Sequence, residues 1–238
     1  MHVTFRQIRL PDEAASARSG QDETPQLARD PRRTTVDDQS EDQAMTKSES
    51  KANTPERAAM EQSNLAFLDL KLFENGQCIR GAILVTNSKT DPLEFRCTSP
   101  IRPTALQKTL WGSRLTGYIA SQLIGKPLLD AVSNKSSLVV VRDASLLELR
   151  PLINLPVIQL TPQEKTGKAL RSAKSEDDDD ILKSSDGAFE AIVMKVHPAH
   201  GDDIAIARAL LQHASRSFGL LEPFQRIDTA LGLVQQQG

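Results

Sequence analysis

Two aspartates are candidates for a functional site, because each lies in or directly after a predicted strand. Asp69 lies inside the apolar run of residues 65–73, and Asp143 follows the β-branched run of residues 138–141. Carboxylates from neighbouring strands can share a hard divalent cation, which then activates a water molecule. The simpler alternative for Asp69 is an outward-facing residue of an alternating strand.

A basic stretch is the second candidate site. Residues 95–129 contain five Lys or Arg residues and no Asp or Glu. Positive charge beside aromatic rings can hold a phosphate backbone and stack a base. The predicted binding residues are Arg96, Arg102, Lys108, Trp111 and Arg114. Two alternatives remain: an ordinary solvated helix face, or a surface that attracts the chain's own acidic run at residues 176–180.

Composition narrows the function classes. The formal net charge of −2 over 238 residues favours neither a nucleic-acid nor a membrane partner by bulk electrostatics, so a local cluster has to carry any such interaction. No apolar stretch approaches the 18 residues that a membrane helix needs, and we expect a cytoplasmic protein. Phosphate-binding glycine loops, the serine-hydrolase elbow and Cys/His zinc spacings are absent.

The first ordered elements should form an antiparallel meander. Residues 65–73, 77–86 and 93–98 have strand character. Asn75-Gly76 separates the first two runs, and this pair favours the positive φ angles of a tight hairpin turn. The meander would place Asp69 on its first strand.

Helices and parallel strands should follow. Thr104 and Gln107 have the spacing of a capping box, which predicts a helix start. We expect Leu106 and Leu110 on its inward face. Two later runs, residues 138–141 and 156–160, are separated by a short helix and should pair in parallel.

The predicted fold class is α/β, with a single mixed sheet, the three-stranded antiparallel meander plus parallel strands, covered by helices. A further strand at residues 189–196 and two C-terminal helices complete it. Residues 1–63 contain almost no apolar clusters and are predicted to be a disordered tail. The remaining residues, 64–238, should form one domain, interrupted by an acidic disordered loop at about residues 162–187.

One part of the chain resembles a known family. The element order resembles the ribonuclease H-like fold, and Tyr118-Ile119-Ala120-Ser121-Gln122-Leu123-Ile124-Gly125-Lys126-Pro127-Leu128-Leu129, followed by Leu138-Val139-Val140-Val141-Arg142-Asp143, is similar to the corresponding segment of endonuclease V. The resemblance implies a Mg²⁺-dependent nuclease, with Asp69 and Asp143 matching the first and third carboxylates of that family. Asp202 or Asp203 would stand for a carboxylate on a later helix. The acid of the intervening helix is missing, because Ser121, Gln122 and Leu123 occupy the aligned positions.

Because this catalytic set is incomplete, our main interpretation from the sequence is a non-enzymatic binding or accessory protein that contacts nucleic acid or another anion and has no cofactor. The first alternative is a metal-dependent nuclease or nucleic-acid-processing enzyme, for which Mg²⁺ would be the cofactor. The second is a protein–protein interaction module that docks through an edge strand or the C-terminal helix. The expected partners are therefore nucleic acid or protein.

Overall fold

The meander forms around a tight turn. The computed structural model describes residues 5–8, of which only the backbone is described, and residues 63–163, 181–183, 189–215 and 218–237. Strands β2 (Leu65–Phe73) and β3 (Cys78–Thr86) are antiparallel, and the turn between them holds Asn75 and Gly76 at positive φ. Strand β4 (Pro92–Thr98) pairs with β3 and completes the predicted meander.

The other strands extend the sheet on both sides. They are β1 (Phe5–Ile8), β5 (Leu138–Val141), β6 (Val157–Pro162), β7 (Ile181–Leu182) and β8 (Ile192–Val196). The order across the sheet is β1-β4-β3-β2-β5-β6-β8-β7. Strands β2, β5 and β6 are parallel neighbours, so their carboxyl ends lie along one edge of the sheet.

Helical segments cover both faces. They are α1 (Ala105–Trp111), α2 (Arg114–Tyr118), a π-helical segment (Ile119–Gly125), α3 (Lys126–Ala131), a 3₁₀ segment (Ala144–Leu152), α4 (Asp203–Ala214) and α5 (Glu222–Gln236). The capping box at the start of α1 is formed: the Thr104 hydroxyl accepts from the Gln107 backbone N–H, and the Gln107 side chain accepts from the Thr104 backbone N–H. No described helix is both long and apolar enough to cross a lipid bilayer.

Alternation along the strands creates two cores. On one face, Phe67 of β2 and Val140 of β5 pack with the inward side chains of α4 and α5. On the other, Leu68 and Val141 pack with residues 119–128 and with the 3₁₀ segment. Helices α4 and α5 therefore lie on one side of the sheet, which we call the α5 face. The π-helical segment lies on the other, which we call the π-segment face.

The π-segment face depends on a glycine. A Cβ atom at Gly81 of β3 would overlap Cγ2 of Ile124, which is fully buried. Glycine is therefore the residue that lets the π-helical segment approach the sheet this closely.

These observations confirm the α/β class, with a single mixed sheet covered by helices. The predicted inward face of α1 is wrong: Leu106 and Leu110 are 66% and 74% exposed, because α1 contributes no buried side chain. The backbone of Phe5–Ile8 pairs with β4, although residues 1–63 were predicted to be disordered. Residues 9–62, and the acidic loop apart from 162–163 and 181–183, lie outside the described residues, and the domain boundaries stay a prediction.

Candidate functional site at the carboxyl ends of β2 and β5

A buried carboxylate lies beside a guanidinium at the carboxyl ends of the two central parallel strands. Leu68 of β2 is in register with Val141 of β5, so the next residues on each strand, Asp69 and Arg142, are also neighbours. Asp69 is only 2% exposed, and its Oδ2 lies 2.5 Å from Arg142 Nη2. The pair points toward the α5 face.

The pKa of Asp69 is displaced into the range useful for proton transfer. Burial raises the pKa of this carboxyl to about 6, because the ionised form loses hydration, and the positive charge of Arg142 offsets only part of that effect. Nearby Asp228 raises it further. A buried carboxyl whose pKa lies near neutrality, and which has a specific charged partner, is typical of functional sites.

Helix α5 completes this charge cluster, which consists of Asp69, Lys71, Arg142 and Asp228. Asp228 Oδ2 accepts from Arg142 Nη2 at 3.0 Å, and Lys71 Nζ donates to the Asp228 backbone carbonyl at 3.1 Å. The guanidinium carbon of Arg142 lies 5.7 Å from the centre of the Phe224 ring, at cation–π range. The side chains of Lys71, Arg142 and Asp228 remain about one-third or more exposed, so the cluster is open to solvent on its outer side.

Asp143 lies on the opposite face of the sheet from Asp69. Successive strand residues point to opposite faces. Since Arg142 faces α5, Asp143 faces the π-segment side, where it lines a cleft of about 340 Å³ with Leu70 and Lys108. Its Oδ1 accepts from the backbone N–H and the hydroxyl of Ser145 and caps the 3₁₀ segment.

Asp203 belongs to the other end of the parallel strands. Both of its oxygens accept from Arg150, at 2.5 and 3.1 Å, and Oδ2 also accepts from the backbone N–H of Val157, the first residue of β6. The three predicted metal ligands are therefore not brought together. Within the described parts of the chain, no three His, Cys, Asp or Glu side chains form a group that could hold a metal ion.

Two of the predicted binding residues, Arg96 and Arg102, form ion pairs with glutamate side chains. Arg96 Nε donates to Glu94 Oε1 at 2.7 Å, and Glu94 also accepts from the backbone N–H groups of Ser133 and Asn134. Arg102 makes two hydrogen bonds to Glu74, which lower the pKa of that carboxyl. Both arginines thus support the structure around β3 and β4.

The other three lie on the surface of α1 and α2. Trp111 packs against Tyr118, with ring centres 4.4 Å apart, and both rings remain more than one-third exposed. Together with Arg114 they line a cleft of about 430 Å³ whose wall also includes Gln122 and Glu148. Lys108 lines the neighbouring cleft that contains Asp143.

No family model and no curated protein matches the chain. Among solved structures, endonuclease V from Streptomyces avermitilis is similar, with 14% identity, a TM-score of 0.46, and coverage of 74% of this chain and 83% of that one. Endonuclease V from Bacillus subtilis has 11% identity and a TM-score of 0.46, with coverage of 74% and 84%. The Ciona intestinalis enzyme, in complex with a DNA that contains an inosine, has 9% identity and a TM-score of 0.25, with coverage of 42% and 46%.

The family that the sequence resembles, endonuclease V, thus also appears among the solved structures similar to the chain, at low identity. Our main interpretation from the sequence, a non-enzymatic binding or accessory protein, is corrected. The solved structures to which the chain is similar are endonucleases and not binding proteins.

Asp69 is recognisable as a candidate from the sequence, but its partners Arg142, Lys71 and Asp228 are harder to recognise. Arg142 immediately precedes the predicted residue Asp143. The run of residues 138–141 does not indicate which of these two side chains lies on the same side of the sheet as Asp69. Lys71 was detectable, because it stands two residues after Asp69 and so shares its face of the strand. Asp228 had no detectable signal, since only the packing of α5 on the sheet brings it to Arg142.

Proposed function

We propose that the chain is a nucleic-acid-processing enzyme of the nuclease class, which acts in the cytoplasm and whose reaction centre is the charge cluster. The observation that carries the proposal is Asp69: a buried carboxyl with a pKa raised to about 6, at the carboxyl end of a central parallel strand. Ligand sites in α/β sheets with parallel strands lie outside these strand ends.

The cluster supplies the groups that phosphodiester hydrolysis needs. Asp69 accepts a proton from a water molecule, whose oxygen forms the new bond to phosphorus as the ester P–O bond breaks. The leaving oxygen takes a proton from solvent. Arg142 and Lys71 neutralise the charge that develops on the phosphate oxygens.

The Mg²⁺ that the nuclease class implies does not fit the predicted ligands. Asp143 faces the opposite side of the sheet from Asp69, and Asp203 is bound to Arg150 at the other end of β6. No step of the proposed reaction therefore passes through a metal ion at Asp69, Asp143 and Asp203.

The proposed nucleic-acid surface is the side of α1 and α2 that carries Lys108, Trp111 and Arg114. Lys108 shares its cleft with Asp143 on the π-segment face. A nucleic-acid strand bound there therefore has to pass over the carboxyl ends of β2 and β5 to reach the charge cluster on the α5 face. The support for this surface is the exposed aromatic pair beside cationic side chains, since bases stack on aromatic rings and phosphates pair with Lys and Arg. Arg96 and Arg102 are each paired with a glutamate, so they add little net positive charge to this surface.

A cleavage assay tests the proposal. Labelled DNA and RNA, single- and double-stranded, are incubated with the wild-type chain and with Asp69→Asn, in Mg²⁺, in Mn²⁺ and in EDTA. We expect cleavage by the wild type and a loss of about 100-fold or more in Asp69→Asn, the size of a general-base contribution. Asp130→Asn, which changes an exposed carboxylate on α3, is the matched control and should keep full activity.

Two outcomes contradict the proposal. The first is the absence of cleavage of every substrate under all three conditions. The second is equal activity of the wild type and Asp69→Asn, which would move the reaction away from the charge cluster.

A further inference from the structure

Two carboxylates of the charge cluster share a single nitrogen atom. Arg142 Nη2 lies 2.5 Å from Asp69 Oδ2 and 3.0 Å from Asp228 Oδ2. These two oxygens are therefore at most 5.5 Å apart, with a positive charge between them. A hard cation bound by two oxygens at 2.0 to 2.6 Å holds them at a separation of about 5 Å or less.

The strands and helix α5 fix this arrangement. The register of β2 and β5 places Arg142 directly beside Asp69, and α5 supplies Asp228 from above the sheet. Phe224, one turn earlier on α5 and 1% exposed, has its ring centre 5.7 Å from the guanidinium carbon. The guanidinium is thus held in place from both the strand side and the helix side.

The charge of the cluster is balanced with the guanidinium present. Asp69 and Asp228 carry two negative charges, and Arg142 and Lys71 carry two positive ones. Burial lowers the tendency of Arg142 to stay charged, but Asp69 and Asp228 raise the pKa of its guanidinium overall. A divalent cation that entered beside Arg142 would meet the repulsion of a fixed positive charge at short range.

We propose that Asp69 and Asp228 form a divalent-cation site and that the Arg142 guanidinium occupies the position of the cation between them. The wild-type cluster accordingly binds no Mg²⁺ or Mn²⁺ between these carboxylates. Removal of the guanidinium exposes two oxygen ligands to solvent at a spacing that a hard divalent cation can bridge. The inference concerns cation binding and does not rest on the proposed nuclease activity.

Mn²⁺ binding, measured by electron paramagnetic resonance on the full chain, tests this inference. The wild type, Arg142→Ala and the double variant Arg142→Ala with Asp69→Asn are compared at pH 7.5. Any Mn²⁺ held by the acidic run of residues 176–180 is common to all three. We expect Arg142→Ala to gain one Mn²⁺ site that binds at least about 10-fold more tightly than any wild-type site, and the double variant to lose it.

A second measurement keeps the test decisive if Arg142→Ala does not fold, as judged by circular dichroism. Wild type and Asp69→Asn should then bind Mn²⁺ with the same stoichiometry and affinity, because Asp69 is already occupied by the guanidinium. The inference is overturned if Asp69→Asn removes a Mn²⁺ site from the wild type. It is equally overturned if folded Arg142→Ala gains no site.

Discussion

A single proton on Asp69 separates two charge states of the cluster. With the carboxyl ionised, Asp69 and Asp228 balance the charges of Lys71 and Arg142. With Asp69 protonated, the cluster carries one excess positive charge, which suits the binding of an anion. Because the pKa of Asp69 is about 6, a small change in pH near neutrality shifts the cluster between these two charge states.

The stability of the protein should report this titration. The pKa of Asp69 is raised from 3.8 to about 6 in the folded state, so the folded state binds the proton more tightly than the unfolded state does. This group's contribution to the free energy of unfolding is therefore full below pH 3.8 and is lost as pH rises through 6. Between pH 5 and pH 7.5 we expect it to fall by about 1.4 kcal/mol.

Urea unfolding of the wild type and Asp69→Asn at pH 5, 6 and 7.5 measures this difference. The variant cannot titrate at this position, so its stability should decline less over the interval, and Asp130→Asn should follow the wild type. Parallel profiles for wild type and Asp69→Asn would show that the carboxyl keeps its ordinary pKa.

At the residue scale, the sequence made Asp69 a candidate but could not choose its partner. The pairing with Arg142 depends on the register of two strands separated by more than sixty residues of sequence. That register is set by hydrogen bonds and packing over the whole sheet, so the sequence alone could not show that Arg142, and not the adjacent Asp143, lies on the same face as Asp69.

At the scale of elements, most local structures could be predicted from the residues that form them. The turn at Asn75-Gly76, the capping box at Thr104 and the buried strand β5 all follow from residue types with a specific backbone preference. The π-helical segment and the edge strand Phe5–Ile8 do not. Each of these depends on a distant surface, the sheet at Gly81 in one case and β4 in the other.

The contact between Gly81 and Ile124 leads to a prediction for this packing. Gly81→Ala should lower the free energy of unfolding by about 1 to 3 kcal/mol, because its methyl group overlaps the Ile124 side chain. Ile124→Ala removes that overlap, so the double variant should lose less stability than the sum of the single variants. Urea unfolding of all three gives the coupling energy.

Gly232→Ala is the control for this cycle. Gly232 lies inside α5, and no atom would lie within 4 Å of an added Cβ. Alanine should therefore leave stability unchanged or raise it by up to about 1 kcal/mol. Strict additivity of Gly81→Ala and Ile124→Ala would refute the close approach of the π-helical segment to β3.

At the scale of the whole molecule, a net charge of −2 conceals a local separation of charge. Glutamates of β4 and of the turn after β2 neutralise Arg96 and Arg102, while Lys108 and Arg114 stay on the outer surface of the helices. The acid-free stretch was visible in the sequence. Which of its cations are neutralised was not, because the glutamates that pair with them lie outside that stretch.

Trp111 is the single tryptophan of the chain, so its fluorescence reports directly on base stacking. We expect single-stranded DNA or RNA to quench this fluorescence, with an affinity that falls as salt is added. Trp111→Ala should weaken binding, measured by anisotropy, by about 1 to 3 kcal/mol.

Arg114→Ala should reduce the salt dependence of binding, whereas Lys126→Ala, which removes a cation paired with Asp130, should change it little.

Unquenched fluorescence at saturating nucleic acid would exclude Trp111 from the interface. Quenching that is identical in the wild type and Arg114→Ala at every salt concentration would leave stacking in place and remove Arg114 from the binding surface.

The pH dependence of nucleic-acid cleavage links the proposed reaction to the charge cluster, because it reports the titration of the group that accepts the proton. If Asp69 is the general base, the cleavage rate of the wild type should rise with pH and level off above an apparent pKa of about 6. Asp69→Asn should show only residual activity without this rise. A chain that cleaves no nucleic acid, or an unchanged pH profile in Asp69→Asn, would contradict the account.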